Sequence, residues 1–549
     1  IINHSVMNIR KTLLTTTLFF AGTATALLAD NGKAIEFYKT GRIEPAKAML
    51  LQNLATGAGD KAEAAYYLGE IYKDANQLDS AAYYYGVGKA ADPANLMNSI
   101  GELSLLKLKN PTAADQQFEA LLSNKLNRKN PDLPSLYVAA AAAYKDRPIK
   151  AEEFLNKAKA MDKKLASIYV LEADMQAANK DYNGAAANYE QAITFDPNCK
   201  EAYVKYARIY APINSEVAAE VLNRLLAHDP SSAVAHRELA EIYYKDGKLL
   251  KAAEAYAEYI NDAHVSTSDY ARYATILFFK GDYAKSKEIV EQALPKTPRD
   301  LVLNRLMFYN DFELGNKEAA RSEADKFFNA GYEAADFIGQ DYLYYGRLLI
   351  QDKQFQQGIA QLQKALELDP GKIELYQEIG SAYEGMNDYD NAIANFSLYI
   401  QKAPEDQVQV ADYFNLGKAA YYAGSEMDTT AADYQAKKAA YFAKADSMFS
   451  FVAEKVPDSY LGHFWRARVN SALDPETDKG LAKPFYEKTI EVLDAKGDGD
   501  PRIYIECYSY LGYYYYVKED IENSKIYWEK ILAIDPTNEI ANRAMSGLK

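Results

Sequence analysis

A proline preceded by Asp or Ala returns along this chain, at Pro93, Pro197, Pro230, Pro370, Pro404 and Pro536, and Pro370 and Pro404 stand 34 residues apart. Ahead of these prolines lie stretches of one kind: YYLGEIY (Tyr66–Tyr72), QEIGSAY (Gln377–Tyr383) and YSYLGYYY (Tyr508–Tyr515). A turn such as KDGK (Lys245–Lys248) or KGDY (Lys280–Tyr283) follows, and then a small residue with an aromatic four further on: Ala81 and Tyr85, Ala252 and Tyr256, Ala392 and Phe396. Self-similarity at such a period constrains the fold more than length does. It calls for one supersecondary unit stacked many times, because a single unit cannot bury its apolar face alone. Length by itself would suggest roughly three or four ordinary domains.

The pattern closely resembles the tetratricopeptide repeat (TPR) family: an aromatic at position 4, Leu-Gly or Leu-Ala at 7–8, Tyr at 11, Ala at 20, an aromatic at 24 and Pro at 32. The clearest copy is Ile373–Asp406, with Tyr376, Ile379, Gly380, Tyr383, Ala392, Phe396 and Pro404; it departs at Tyr399, where a small residue is usual. The resemblance implies an all-α, right-handed superhelical solenoid of about fourteen TPR-like helix hairpins. Gly380 and Ala392 would sit where the two helices press together, and Gly247, Gly281 and Gly315 where a first helix ends in a left-handed residue. The hairpin near residue 301 carries Phe308 where a small residue is expected. Residues 30–423 read as the regular array, 424–444 as an insertion within a repeat, and 445–549 as irregular C-terminal repeats in which loops flank a helix near Pro484–Leu493.

Four consecutive tyrosines, Tyr513–Tyr516, cannot share one helical face, because successive residues turn by about 100°. With Gly512 at position 8, Tyr515 falls at core position 11 and Tyr514 against a neighbouring helix. Tyr513 and Tyr516 share a face. In TPR proteins positions 2, 5, 9, 12 and 13 of the first helix line the concave surface. The resemblance therefore makes Tyr66, Glu70, Arg237, Glu241, Tyr244, Phe278, Arg347, Gln377, Glu384, Tyr513 and Tyr516 the candidate partner-binding residues. Aromatic residues with Arg are what binding hot spots favour. The Lys-Asn pairing at positions 5 and 9, with which one TPR subclass holds a peptide C-terminal carboxylate, does not occur.

The stretch MNIRKTLLTTTLFFAGTATALLAD has a basic start at Arg10 and Lys11, an apolar run and small residues, the pattern of a signal peptide cut after Ala26 or Ala29. Residues 1–29 are thus read as an upstream extension plus signal peptide, and the protein as exported, most simply to the periplasm. No later stretch is apolar enough to span a bilayer. The net charge of −15 and the lack of a long basic block argue against nucleic acid as a partner. Cys199 and Cys507, the only cysteines, make no disulfide framework and read as buried small residues.

No catalytic constellation emerges. The histidines lack metal-ligand spacing. The GVGK of Gly86–Lys89 lacks the first Gly of a phosphate loop and lies in a helical pattern. No cofactor or metal is expected. DSA (79–81), DTT (428–430) and DSM (446–448) resemble short O-glycan acceptor motifs of exported proteins in some Gram-negative gut bacteria. The expected function is a non-enzymatic scaffold of the bacterial cell envelope, binding proteins or extended peptides in a concave groove. The alternative is a periplasmic glycan or small-ligand binder that stacks its ligand on groove tyrosines.

Overall fold

The computed structural model describes residues 31–548 except 263, 428, 429, 431, 432 and 498; the proposed signal peptide, and most of the DTT motif, lie outside the described residues. Among the described residues the regular structure is entirely helical. From Gly32–Lys39 and Ile43–Thr56 to Pro501–Val517 and Ile521–Ile534 the α-helices pair in order into hairpins, leaving Glu539–Gly547 against the last one. This is a TPR-like solenoid. None of these helices is long and apolar enough to cross a membrane.

Several hairpins are held by a close approach that only a small residue permits. A Cβ added at Gly69 would stand 2.2 Å from the Tyr85 ring, one at Gly380 2.8 Å from Phe396, and one at Gly512 2.8 Å from Trp528. In each pair the aromatic follows the glycine by sixteen residues. The hairpin at 301 exchanges the partners: Phe308 takes the glycine's place, Ala324 stands sixteen residues on, and both are fully buried. The size rule therefore concerns the pair rather than either residue. In the hairpin at 410 the aromatic, Phe449, follows Gly417 by thirty-two residues, and the contact survives at 2.8 Å. Both helices of this hairpin, Val410–Ser425 and Tyr434–Lys455, run longer than their counterparts Leu375–Glu384 and Tyr389–Lys402. A second pair, Gly424 and Phe442, packs the added turns.

The first helix of most hairpins ends in one residue of positive φ. It is Gly at 247, 281 and 315, but Asn76, Lys180, Lys353, Asn387 and Glu519 adopt the same conformation. Helices flanking the C-terminal loops run as Tyr460–Leu473 and Lys483–Lys496. Between them the buried Asp474 carboxylate accepts from the backbone N–H groups of Lys479, Gly480 and Leu481.

The chain divides into two compact units, one up to Pro298 and the other from Arg299 onward. In the first, the N-terminal hairpin folds back onto repeats far along the sequence. Lys200 pairs with Glu36 at 3.0 Å, Lys39 with Glu201 at 3.8 Å, and Lys33 with Asp262 at 3.4 Å. The Arg42 guanidinium covers the Phe37 ring and donates to the backbone carbonyl of His264. Phe37 is wholly buried there, edge-on to the His264 ring. Glu201 and Arg208 are on the helix Lys200–Tyr210, at places where a TPR array faces its groove, so the first hairpin covers part of that face. In the second unit, helices Lys483–Lys496 and Pro501–Val517 carry the array to its last hairpin.

Candidate partner-binding surface

Most of the charged groove candidates are engaged by their own neighbours. In the first unit Arg208 holds Glu238 through two hydrogen bonds of 2.9 and 2.7 Å, Arg237 donates to Asp269 at 2.8 Å, and Arg272 approaches Glu241 at 3.3 Å. The second unit has the same links: Arg305 to Asp341, Arg347 to Glu378 at 2.9 and 2.6 Å, Gln377 to Asp412, Lys418 to Glu384 at 3.1 Å, and Arg468 to Glu506. Each link joins the first helix of one hairpin to the first helix of the next. The bidentate arginine pairs fix orientation as well as charge.

Burial makes these links sensitive. Asp269 is nearly inaccessible. Burial disfavours its charge, but Arg237 together with hydrogen bonds from Tyr259 and Ser266 outweighs this and holds the carboxyl below the usual range. Burial works against the Arg237 charge too, yet Asp269 and Glu238 keep the guanidinium firmly protonated.

Two of the candidate acids serve the core. Tyr85 donates its hydroxyl to Glu70 at 2.6 Å and Tyr256 to Glu241 at 2.7 Å; Tyr189 and Asp174 repeat the arrangement at 2.7 Å. The tyrosine follows its acid by fifteen residues each time, which puts the acid at groove position 9 and the ring at core position 24. A buried phenol needs an acceptor, and burial followed by the nearby carboxylate pushes all three hydroxyls well up. Where position 24 is Phe396 or Trp528, position 9 is Ser381 or Tyr513 instead. Lys73 also holds Glu70, at 2.7 Å.

The aromatic candidates divide. Tyr66 is buried, and its ring meets those of Tyr67 and Tyr85. Tyr244 is half-buried beneath the Arg272 guanidinium. Phe278 packs with Phe279 and Tyr283. Tyr514 and Tyr515 are half-buried, Tyr515 stacked on Tyr527. Tyr513 and Tyr516 stand out at 43% and 53% exposure, their ring centroids 6.4 Å apart. They border a cleft of about 300 Å³ with Trp528, Ile540, Arg543 and Leu548. The Trp528 N–H is already satisfied by Ser524, so Trp528 offers the cleft an apolar surface.

The acceptor acids Glu238, Asp269, Glu378 and Glu506 and the residues contributed by the final helix were not singled out in the sequence. The acids carried a signal, lying 30 to 38 residues beyond their partners, about one period. Ile540 and Arg543 carried none, because the final helix has no partner helix and no repeat register. Cys507 is buried and its thiol pushed up by that burial, whereas Cys199 is only half-buried; both are free.

The tetratricopeptide repeat family profiles match residues 166–199, 214–265 and 373–406. Among solved structures, the C-terminal part of a TPR repeat-containing protein from Cytophaga hutchinsonii is 31% identical over 51% of this chain and 99% of its own, with a TM-score of 0.40. A tetratricopeptide repeat protein from Parabacteroides merdae is 17% identical over 45% of this chain and 98% of its own, TM-score 0.29. YrrB, described as a TPR protein with an unusual peptide-binding site, is 18% identical over 38% and 100%, TM-score 0.30. No curated protein matches the chain.

Proposed function

Because this chain belongs to the tetratricopeptide repeat family, we propose that it is a non-enzymatic interaction scaffold that takes extended peptide segments of other proteins at the C-terminal end of its array. The observation that carries this reading is the cleft of Tyr513 and Tyr516. Elsewhere Glu70 and Glu241 hold tyrosine hydroxyls, Glu384 pairs with Lys418 and the candidate arginines hold acids, whereas these two rings are exposed beside an apolar hollow lined also by Arg543. Exposed aromatics around an apolar hollow, with a guanidinium beside them, are the composition of an anchor site for one apolar side chain and a nearby carboxylate. The setting we propose is the cell envelope, and that part rests on the leader-like residues 1–29.

Selection of binders from a random-peptide library on the mature protein tests the site. Enriched peptides should share an apolar anchor, and they should lose binding to Tyr513→Ala/Tyr516→Ala. Peptides that bind this variant as well as they bind the parent would place the site elsewhere. N-terminal sequencing of protein recovered from cells tests the setting, and a chain that still begins ahead of Ala26 would count against it.

A further inference from the structure

One edge of the first unit is unlike the rest. Three of the loops that follow second helices in this unit carry Asp directly ahead of Pro, at 92, 196 and 229. After the helix Pro111–Ser123 the corresponding loop instead forms a 3-10 turn, Lys125–Lys129, of sequence KLNRK. After the helix Pro148–Met161 it reads DKKL. Lys125, Arg128, Lys129, Lys163 and Lys164 are all exposed, and none has an ion-pair partner among the described residues. The acids in these two loops are Asp132 and Asp162. Five cations against two acids stand out in a chain whose net charge is −15.

Apolar groups accompany the charge. Leu126, between Lys125 and Arg128, is 86% exposed, and Met161 is 51% exposed. Between the two loops lies a cleft of about 540 Å³ whose walls include Leu122, Pro131, Pro134, Tyr137 and Met161, with Arg128 on its rim. A leucine at the tip of a turn finds nothing of its own chain to pack against, so its exposure is uncompensated unless something covers it.

We infer that this edge is a docking surface for an anionic lipid bilayer. The cations meet headgroup phosphates, Leu126 enters the acyl boundary, and the cleft beside Arg128 gives an amphiphile both an apolar wall and a cation. The match is to a partner that offers negative charge and hydrocarbon together. An acidic polypeptide would satisfy the lysines but leave Leu126 and the cleft uncovered. Basic residues beside an anionic bilayer contribute roughly fivefold each to the binding constant and lose most of that when salt shortens the Debye length.

Sedimentation of the full mature chain with vesicles tests this, using phosphatidylcholine alone and phosphatidylcholine mixed with phosphatidylglycerol. Binding is expected to the mixed vesicles only. It should weaken at least tenfold in Lys125→Gln/Arg128→Gln/Lys129→Gln, weaken in Leu126→Ser, and fall in high salt. All four positions are exposed, and an unchanged circular dichroism spectrum would confirm that the variants fold. No binding to the mixed vesicles, equal binding to neutral ones, or indifference to the triple substitution would overturn the inference. Polyglutamate that binds the same edge where the vesicles fail to bind would reassign it to an acidic protein.

Discussion

Arg208 donates a 2.7 Å hydrogen bond to the backbone carbonyl of Thr40, a residue 168 positions earlier. The same guanidinium holds Glu238, so one side chain joins the first hairpin to the middle of its unit. Arg208→Ala should cost about 1.5–3 kcal/mol, the range for hydrogen bonds to a charged group. The loss should be local. Hydrogen exchange read by mass spectrometry should speed up across residues 32–56 before it changes elsewhere in the unit.

The exchange of sizes at Phe308 and Ala324 predicts compensation. Phe308→Gly alone empties a buried ring site and should destabilise the second unit by about 3–5 kcal/mol. Adding Ala324→Phe rebuilds the arrangement seen at Gly380 and Phe396. The double variant should recover at least about 1 kcal/mol in urea unfolding, a coupling that independent sites would not show.

Glu241 is expected to matter for stability before it matters for any partner. Glu241→Ala leaves the buried Tyr256 hydroxyl without its acceptor and should cost about 1–3 kcal/mol. Glu241→Gln keeps an acceptor and should cost less. A melting comparison of the two variants separates this role from a surface role, in which both would be neutral.

Asp269 gives the first unit a pH dependence of known sign. Its native carboxyl lies below the ordinary aspartate value near 3.8, so its contribution is complete above about pH 5. The contribution is lost as pH falls through the depressed native value. Asp269→Asn should be less stable than the parent at neutral pH, and the gap should narrow in acid. A gap that stayed constant down to pH 2 would contradict the assignment.

Tyr513→Ala and Tyr516→Ala should each change stability by less than about 0.5 kcal/mol, since both rings are exposed. Tyr515→Ala, which removes the stack on Tyr527, should cost more. This contrast within one run of four tyrosines is checked by thermal unfolding of the single variants.

The hairpin order was legible in the sequence because the motif encodes close contacts. Gly380 and Phe396 are sixteen residues apart since that spacing brings the two helices of a hairpin into register, and the spacing is visible in a string of letters. The roles of the groove residues were less legible. Glu70 and Glu241 occupy the same register position as Tyr513, and a register position does not say whether the ring at position 24 carries a hydroxyl that needs an acceptor. That could have been read by asking, repeat by repeat, which aromatic stands fifteen residues on. The fold-back of the first hairpin had no such signal. Glu36 and Lys200 belong to repeats of the same kind, and nothing in a period says which repeats meet after several have stacked.

That fold-back changes the way the first unit comes apart. A linear array has two loose ends, each stabilised by one neighbour, and it can gain or lose repeats from either end. Here Arg42 and Arg208 tie the first hairpin to residues 222 and 168 positions away in sequence. The N-terminal end is therefore closed. Its hairpin packs on the next repeat through Phe37, Leu50 and Leu68 and also on the repeats near 200 and 264, so opening this end breaks contacts on two sides rather than one.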